Sequence, residues 1–475
     1  MSTSSRADEP TKRIAIVGSG VSGLGALYAL RETHHEVHLY EAADRLGGHT
    51  NTIQWTCPDG DTVPVDSGFI VINTATYPNL LNFLDQMDVD TVPTDMTFSV
   101  SRDAGAFEWA GKNPLTLFCQ WTNLFNFYHW VMLYDLIRFN AFATDLLRDP
   151  KCDQNSMSIG EYLDQGGYSQ SFRDNYLLPM TACVWSTGPR KCALDFPAVT
   201  LIRFMNNHQL LNTVSGRAKW LTIPGGSQRY IDALMDQFPE ERVHLNSEVI
   251  SITTHKIKKG KKTELILTTE DGDDAIFDDV ILACHGDQAA RLLKQSTSGW
   301  LAEHDVLKNF KTSENIAYVH SDISLLPKRP AAWSAWNYLT STSPESPANP
   351  ASTTVSLTYN MNILQHLDVE ECDNVLVTLN PPKMPVKELI QYEIPYRHPI
   401  YTNEAVKAQA DLGKIQGDRG IWFAGAWTGY GFHEDGFTSG LDVGLKVGGG
   451  EIPFEFVDSR KSNKLPEHRF SDLVG

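Results

Sequence analysis

The sequence predicts an α/β protein in which a parallel-sheet domain is interleaved with a second, α+β domain. Three stretches predict the first domain. Arg13 to Glu41, RIAIVGSGVSGLGALYALRETHHEVHLYE, reads as strand, glycine turn, apolar helix and strand. FDDVILACHGDQAARLL repeats a buried strand, Val280 to Cys284, turning into a helix. GIWFAGAWTGYGFHEDGFTSGLDVGLKVGGG supplies a last strand and helix. Short apolar runs followed by helices are the pattern of buried parallel strands. Between them, 310–400 alternates strand-like runs (NIAYVH, STTVSLTYNM, NVLVTLN), which points to a separate sheet. At 475 residues the chain exceeds one core, so two or more interleaved domains are expected.

The first unit carries the clearest chemistry. Ile14 to Val17 form the strand, and Gly18, Gly20 and Gly23 follow at GxGxxG spacing. Gly18 permits a tight turn, Gly20 lets the backbone approach a pyrophosphate, and Gly23 lets helix and strand pack closely. Leu24, Leu27, Tyr28 and Leu30 mark the helix. Its N-terminus offers unpaired N–H groups and partial positive charge to a pyrophosphate. The second strand, Val37 to Tyr40, ends at Glu41, placed to accept bonds from ribose hydroxyls. Strand, helix, strand and terminal acid together predict a Rossmann-like dinucleotide site.

The remaining elements follow in order. Residues 1–12 read as a disordered leader and 13–75 as the first part of the nucleotide domain. Residues 76–215 open the substrate domain. There, 77–90 reads as a helix with Leu80, Leu81, Leu84 and Met87 on one face, and 158–215 as helices and loops. Residues 114–148 are apolar nearly all round, with nine aromatics from Phe118 to Phe142. Residues 216–300 return to the nucleotide domain through a Gly225–Gly226 turn, a helix, and three strands with a basic tip at Lys256 to Lys262. Residues 301–412 form the substrate-domain sheet, interrupted by a Pro/Ser-rich loop at 341–352. Residues 413–450 complete the nucleotide domain, and 451–475 read as a charged, loose tail.

Bulk properties exclude several classes. A formal charge of −18 disfavours nucleic acid, whose phosphates need a basic face. Seven scattered cysteines without a CxxC pair give no zinc site or disulfide framework, so no metal is expected and a reducing, cytoplasmic location fits. The first twelve residues lack the apolar core of a signal peptide, and no apolar run is long enough to span a bilayer.

Further features favour FAD over NAD. ADRLGGHTNT places Arg45, Gly47 and Gly48 just beyond the second strand, where an arginine and two flexible glycines reach over a pyrophosphate and ribityl chain. The chain then enters a β-rich excursion, VPVDSGFIVI, instead of another βα unit. Near the end, Gly425 follows a strand and Gly436 to Gly440 open a helix, whose N-terminus suits negative charge on a reduced flavin.

With these motifs, SEVISI and FAGAWTGYGFHEDGFTSG in order across 13–449, the sequence resembles the flavin-containing amine oxidase superfamily, which includes protoporphyrinogen oxidase and carotenoid desaturases. EAADRLGGHT, VDSGFIVIN, YPNL, GGSQRY and GYGFHEDG resemble more closely a branch of FAD oxidoreductases associated with cyclopropane fatty-acid synthase-like methyltransferases. The resemblance implies an FAD-binding domain of the glutathione reductase/amine oxidase type. It implies that Gly18, Gly20, Ser22 and Gly23 face the pyrophosphate and that Glu41 holds the ribose. Arg45, Gly47, Gly48 and His49 would line the phosphate and flavin side. Asp66, Gly68 and Phe69 would pass near the isoalloxazine, Val249 would offer its backbone to adenine, and Gly425, Phe437 and Thr438 would sit at the flavin end.

The chain also departs from the amine oxidases it resembles. SENIAYVHSD stands where many of them hold a lysine beside flavin N5, and it has none. Their aromatic cage has one matching wall, Phe437. Ala426 and Trp427 replace the usual acid after Gly425, and no cysteine stands at the usual covalent flavin position, so non-covalent FAD is expected. The departures point away from amines. Together with the branch resemblance and the aromatic segment, they point to an apolar, lipid-like or acyl-chain substrate. Oxygen or another electron acceptor would reoxidise the flavin, and 114–148 would line a tunnel, pack as core or contact a membrane peripherally. The alternatives are a flavin amine oxidase and a flavin-free binding protein resembling Rab GDP-dissociation inhibitors.

Catalytic candidates are His433, Glu434 and Asp435, directly before the flavin-facing helix, where a base would take a proton as hydride leaves; the plainer reading is helix capping. Arg397, His398 and Tyr401 would hold a head group or pack as a loop on the sheet. Trp333, Trp336, Asn337 and Tyr338 would line a cavity or, preferred, form a half-buried strand.

Overall fold

The computed structural model describes residues 10–149, 151–152, 156–185, 194–211, 219–255, 264–295, 299, 301–340 and 356–458. The basic tip at Lys256 to Lys262, the 341–352 loop and residues 1–9 and 459–475 lie outside these.

Five strands form the parallel sheet, in the order Val243–His244, Glu36–Tyr40, Arg13–Val17, Asp279–Leu282, Ile421–Phe423. The three sequence units that predicted the sheet therefore supply its centre and one edge. The centre is buried on both faces, which is why its strands are uninterrupted runs of apolar residues. An antiparallel sheet of Val249–His255, Glu264–Thr269 and Asp274–Phe277 packs beside it.

The helix after the first strand, Val21–Leu30, lies against the C-terminal helix, His433–Val447. Glycines set how close the two come. A Cβ on Gly440 would stand 2.0 Å from the Ser22 carbonyl oxygen, and one on Gly444 2.7 Å from the Ala29 Cβ. Gly436, Gly440 and Gly444 recur every four residues, so they share one helix face, and the backbones meet along it.

The second sheet has seven strands, ordered Ile390–Ile400, Lys311–His320, Leu376–Leu379, Ser356–Asn360, Trp336–Thr340, Phe98–Arg102 and Phe107–Ala110. It is antiparallel except where Trp336–Thr340 pairs with Phe98–Arg102. Trp336–Thr340 thus takes the half-buried strand reading. Arg397 and His398 lie within the edge strand, not in a loop.

Two expectations change. The helix Pro78–Gln86, grouped by sequence with the substrate domain, packs in the core of the nucleotide domain: Phe83 meets Tyr28 edge-on at 4.8 Å and Phe437 at 4.8 Å. Its apolar face seeks whichever core is nearest, and the sequence does not say which that is. Residues 451–458 are packed, not loose. Phe454 stacks on Tyr28, and Val457 exchanges hydrogen bonds of 2.7 and 3.0 Å with the Asn79 side chain.

The aromatic segment forms a helix, Phe127–Phe142, whose inner face joins the core of the second domain through Met132 and Phe139. No helix among the described residues is long and apolar enough to cross a membrane.

Candidate active site

A cavity of about 730 Å³ lies between the parallel sheet and the seven-stranded sheet, lined from both, toward the upper end of the ~300–1,000 Å³ typical of ligand sites. Its nucleotide end lies at the carboxyl ends of the parallel strands, where open α/β sheets bind ligands. Gly18, Gly20, Ser22, Glu41, Arg45, Gly47, Gly48, His49 and Val249 all line it, as do Gly68, Phe69 and Gly425.

Two glycine loops build this end as a cradle. Gly47 N donates to the Ser19 carbonyl at 3.1 Å, which joins the 18–23 turn to the 45–50 loop. Gly18 takes φ +102°, and a Cβ there would lie 2.9 Å from the Ala283 carbonyl oxygen. A Cβ on Gly20 would meet no protein atom within 4 Å, so its face is open to the cavity. Gly23 does not line the cavity; a Cβ there would stand 1.9 Å from the Gly18 carbonyl, so it sets the helix–turn packing. Glu41 accepts from Ser19 N at 2.9 Å and Ala43 N at 3.0 Å, one on each oxygen. A carboxylate held this way keeps lone pairs for ribose hydroxyls. Arg45 spends its guanidinium on the carbonyls of Gly48 and Thr50, at 2.9 and 3.2 Å, and so fixes its own loop.

His49 stands at the wall with its ring stacked on Tyr396 at 4.9 Å, and its buried Nε2 has no hydrogen-bond partner. A buried polar atom is normally satisfied, so a polar cofactor here would complete the site. Burial pushes the His49 imidazole well below its usual value and that of His398 down to about 4, so both are neutral near pH 7.

Several predicted site residues do other work. Asp66 does not reach the cavity. It accepts from Thr52 Oγ1 at 2.6 Å, Ser227 Oγ at 2.7 Å and Ser227 N at 2.9 Å, clamping the Thr52–Thr56/Thr62–Asp66 hairpin to the turn before helix Gln228–Met235. Phe437 is core, and Thr438 sits between Asn79 and Glu434, at 2.8 and 3.2 Å. Glu434 caps the helix Pro78–Gln86, taking the Asn79 and Leu80 N–H groups at 3.0 and 2.9 Å. Burial pushes its carboxyl up to about 8 against the hydrogen bonds that hold it down. Asp435 caps its own helix through Phe432 N at 2.9 Å.

Only His433 of the three catalytic candidates lines the cavity. Its ring stacks on Phe69 at 3.6 Å, and Nε2 lies 2.8 Å from the Tyr230 hydroxyl. Burial pushes its pKa down to about 3, which makes it a weak base at neutral pH. The ring lies flat against Phe69.

Sequence reasoning missed Cys284, His285 and Arg291, which line the cavity beyond strand Asp279–Leu282. Their place just past the carboxyl end of a parallel strand was the available signal. It passed over Met180, Phe204 and Leu210 as well, whose convergence only the tertiary fold creates.

A family model described as flavin containing amine oxidoreductase matches residues 21–320. The chain belongs to this family. Its cofactor is FAD. The FAD is non-covalent. A Mycobacterium tuberculosis protein named as a flavin-containing monoamine oxidase, AofH, is 28% identical over 251 residues, 52% of each chain. The chain spans about half the length, or less, of the curated relatives it matches first. Among solved structures, a redesigned putrescine oxidase superposes with TM-score 0.63 at 17% identity, covering 92% of this chain and 99% of that one. A fatty acid isomerase from P. acnes that produces CLA gives 0.62 at 14% identity, covering 91% and 97%. These likenesses bear on the fold alone.

Proposed function

We propose that this flavin oxidoreductase dehydrogenates an apolar, lipid-like substrate of the acyl-chain type. The observation that carries the reading is the far wall of the cavity. Met96, Phe98, Met180, Phe204, Leu210 and Trp336 line it. The only carboxylates lining the cavity among the described residues are Glu41 and Glu248, at the nucleotide end beside Gly18 and Val249. His208, at the apolar end, is held neutral by burial, which pushes it down to about 4. An ammonium group would lose hydration there without gaining a counter-charge, whereas a hydrocarbon chain loses nothing.

Bound FAD would supply the acceptor for a hydride from one substrate carbon, and the proton from the adjacent carbon would leave to bulk water as the C=C bond forms. The residues do the rest: the apolar wall excludes water and aligns the chain, and the Phe69–His433 stack holds one boundary of the site. Chain length tests this. With a chain-length series of unsaturated acyl ligands, the products of the proposed reaction, the flavin absorbance shift is expected to give a Kd that falls about fourfold per added CH₂, as burial worth ~0.8 kcal/mol requires. A Kd independent of length, with tighter binding of alkylammonium ions, would contradict it.

A further inference from the structure

The outer face of the aromatic segment is left uncovered by the described residues. Trp121, Phe125, Phe127, Tyr128, Tyr134 and Ile137 are exposed, Phe125 by 82% and Phe127 by 73%. Trp121 lies 6.3 Å from Phe125 and Phe127 5.9 Å from Tyr128, ring to ring. Residues 113–134 contain no Asp, Glu, Lys or Arg. The rings are held in place: Asn126 caps the helix through Tyr128 N at 3.0 Å, Trp130 Nε1 donates to the Leu124 carbonyl at 2.9 Å, and Asn123 donates to the Glu108 carbonyl at 3.0 Å. The same helix buries Met132 and Phe139 in a core shared with Phe98 and Phe204, which line the cavity. An apolar layer is therefore continuous from the exposed rings to the proposed substrate end.

We propose that this aromatic face lies on a zwitterionic lipid surface. A soluble monomer rarely exposes a contiguous apolar patch of this kind without a partner. Charge selects the partner. The chain carries −18, so a second copy would bring equal charge to the contact, and an anionic bilayer would repel it. A zwitterionic lipid surface does neither. Trp and Tyr rings settle at headgroup depth, and Phe and Ile side chains reach the acyl boundary. The proposal goes beyond the substrate reading and is tested without turnover.

The test is flotation of the FAD-loaded protein with phosphatidylcholine vesicles in low salt and in about 1 M salt. The expected result is co-flotation in both. F125S/F127S is expected to lower the bound fraction roughly tenfold while keeping the flavin absorbance. Wild-type protein that stays with the soluble fraction, or floats only with anionic vesicles, would overturn the proposal. So would a stable wild-type dimer that the double variant converts to monomer. Should the variant fail to fold, quenching of wild-type tryptophan fluorescence by brominated-chain phosphatidylcholine gives the answer, with no quenching counting against it. Vesicle binding without flavin reduction by lipid would sink the substrate reading and leave this one standing.

Discussion

His433 and Glu434 are neighbours in sequence with opposite uses, because helix geometry turns one toward the cavity and the other toward helix Pro78–Gln86. Glu434→Ala is expected to destabilise the protein by about 1–3 kcal/mol, since it leaves buried N–H groups unpaired, with flavin reduction in the folded fraction little changed; chemical denaturation and stopped-flow absorbance check the two parts. For His433 the folded pKa, about 3, lies below the unfolded 6.5. The stability it contributes is present above pH 6.5 and is lost as pH falls toward 3. The destabilisation caused by His433→Gln should therefore be largest at pH 7 and above. It should shrink by about 1.4 kcal/mol per pH unit below 6.5, and a constant difference across this range would show that the imidazole is not held neutral. Glycines give a sharper contrast. Gly20→Val points its side chain into open cavity, so the variant should fold and melt much as wild-type apoprotein does, yet purify without yellow colour. Gly23→Ala drives a methyl into the Gly18 carbonyl and should yield little folded protein.

At the scale of elements, the glycine face of the C-terminal helix matters more than its N-terminus suggested. Gly440→Ala places a methyl 2.0 Å from the Ser22 carbonyl, so the two helices must separate. A loss of about 3 kcal/mol or more is expected, at the high end of overpacking, together with weaker FAD binding, because Val21 and Ser22 line the cavity; melting temperature and flavin Kd are the readouts. The parallel sheet was legible in sequence because Ile14–Val17 and Val280–Leu282 are apolar runs, each soon followed by a glycine and a helix. The glycine-loop residues that line the cavity were legible because they stand at fixed offsets from the glycine turns. Asp66, Phe437 and Thr438 were misplaced because a motif fixes the backbone path, not which way each side chain faces. Trp336 was named in sequence as a possible cavity residue and lines the wall from its half-buried strand, whereas Phe98, Met180 and Phe204 were illegible because they come from separate elements that only the tertiary fold brings together.

For the whole molecule, two clusters of cavity-lining residues, near Gly18 to His49 and near Gly425, close one end of a cavity whose other end is lined from the seven-stranded sheet and the helices beside it. The chain carries a net charge of −18, while the aromatic helix offers one uncharged face. Family membership supplies the flavin chemistry and leaves the substrate to the cavity wall. The most direct test is anaerobic reduction of the bound flavin, followed by its visible absorbance, against a panel of acyl-chain lipids and a panel of primary and secondary amines. The account expects bleaching by at least one lipid and none by the amines; rapid bleaching by an amine, with the lipids inert, would contradict it.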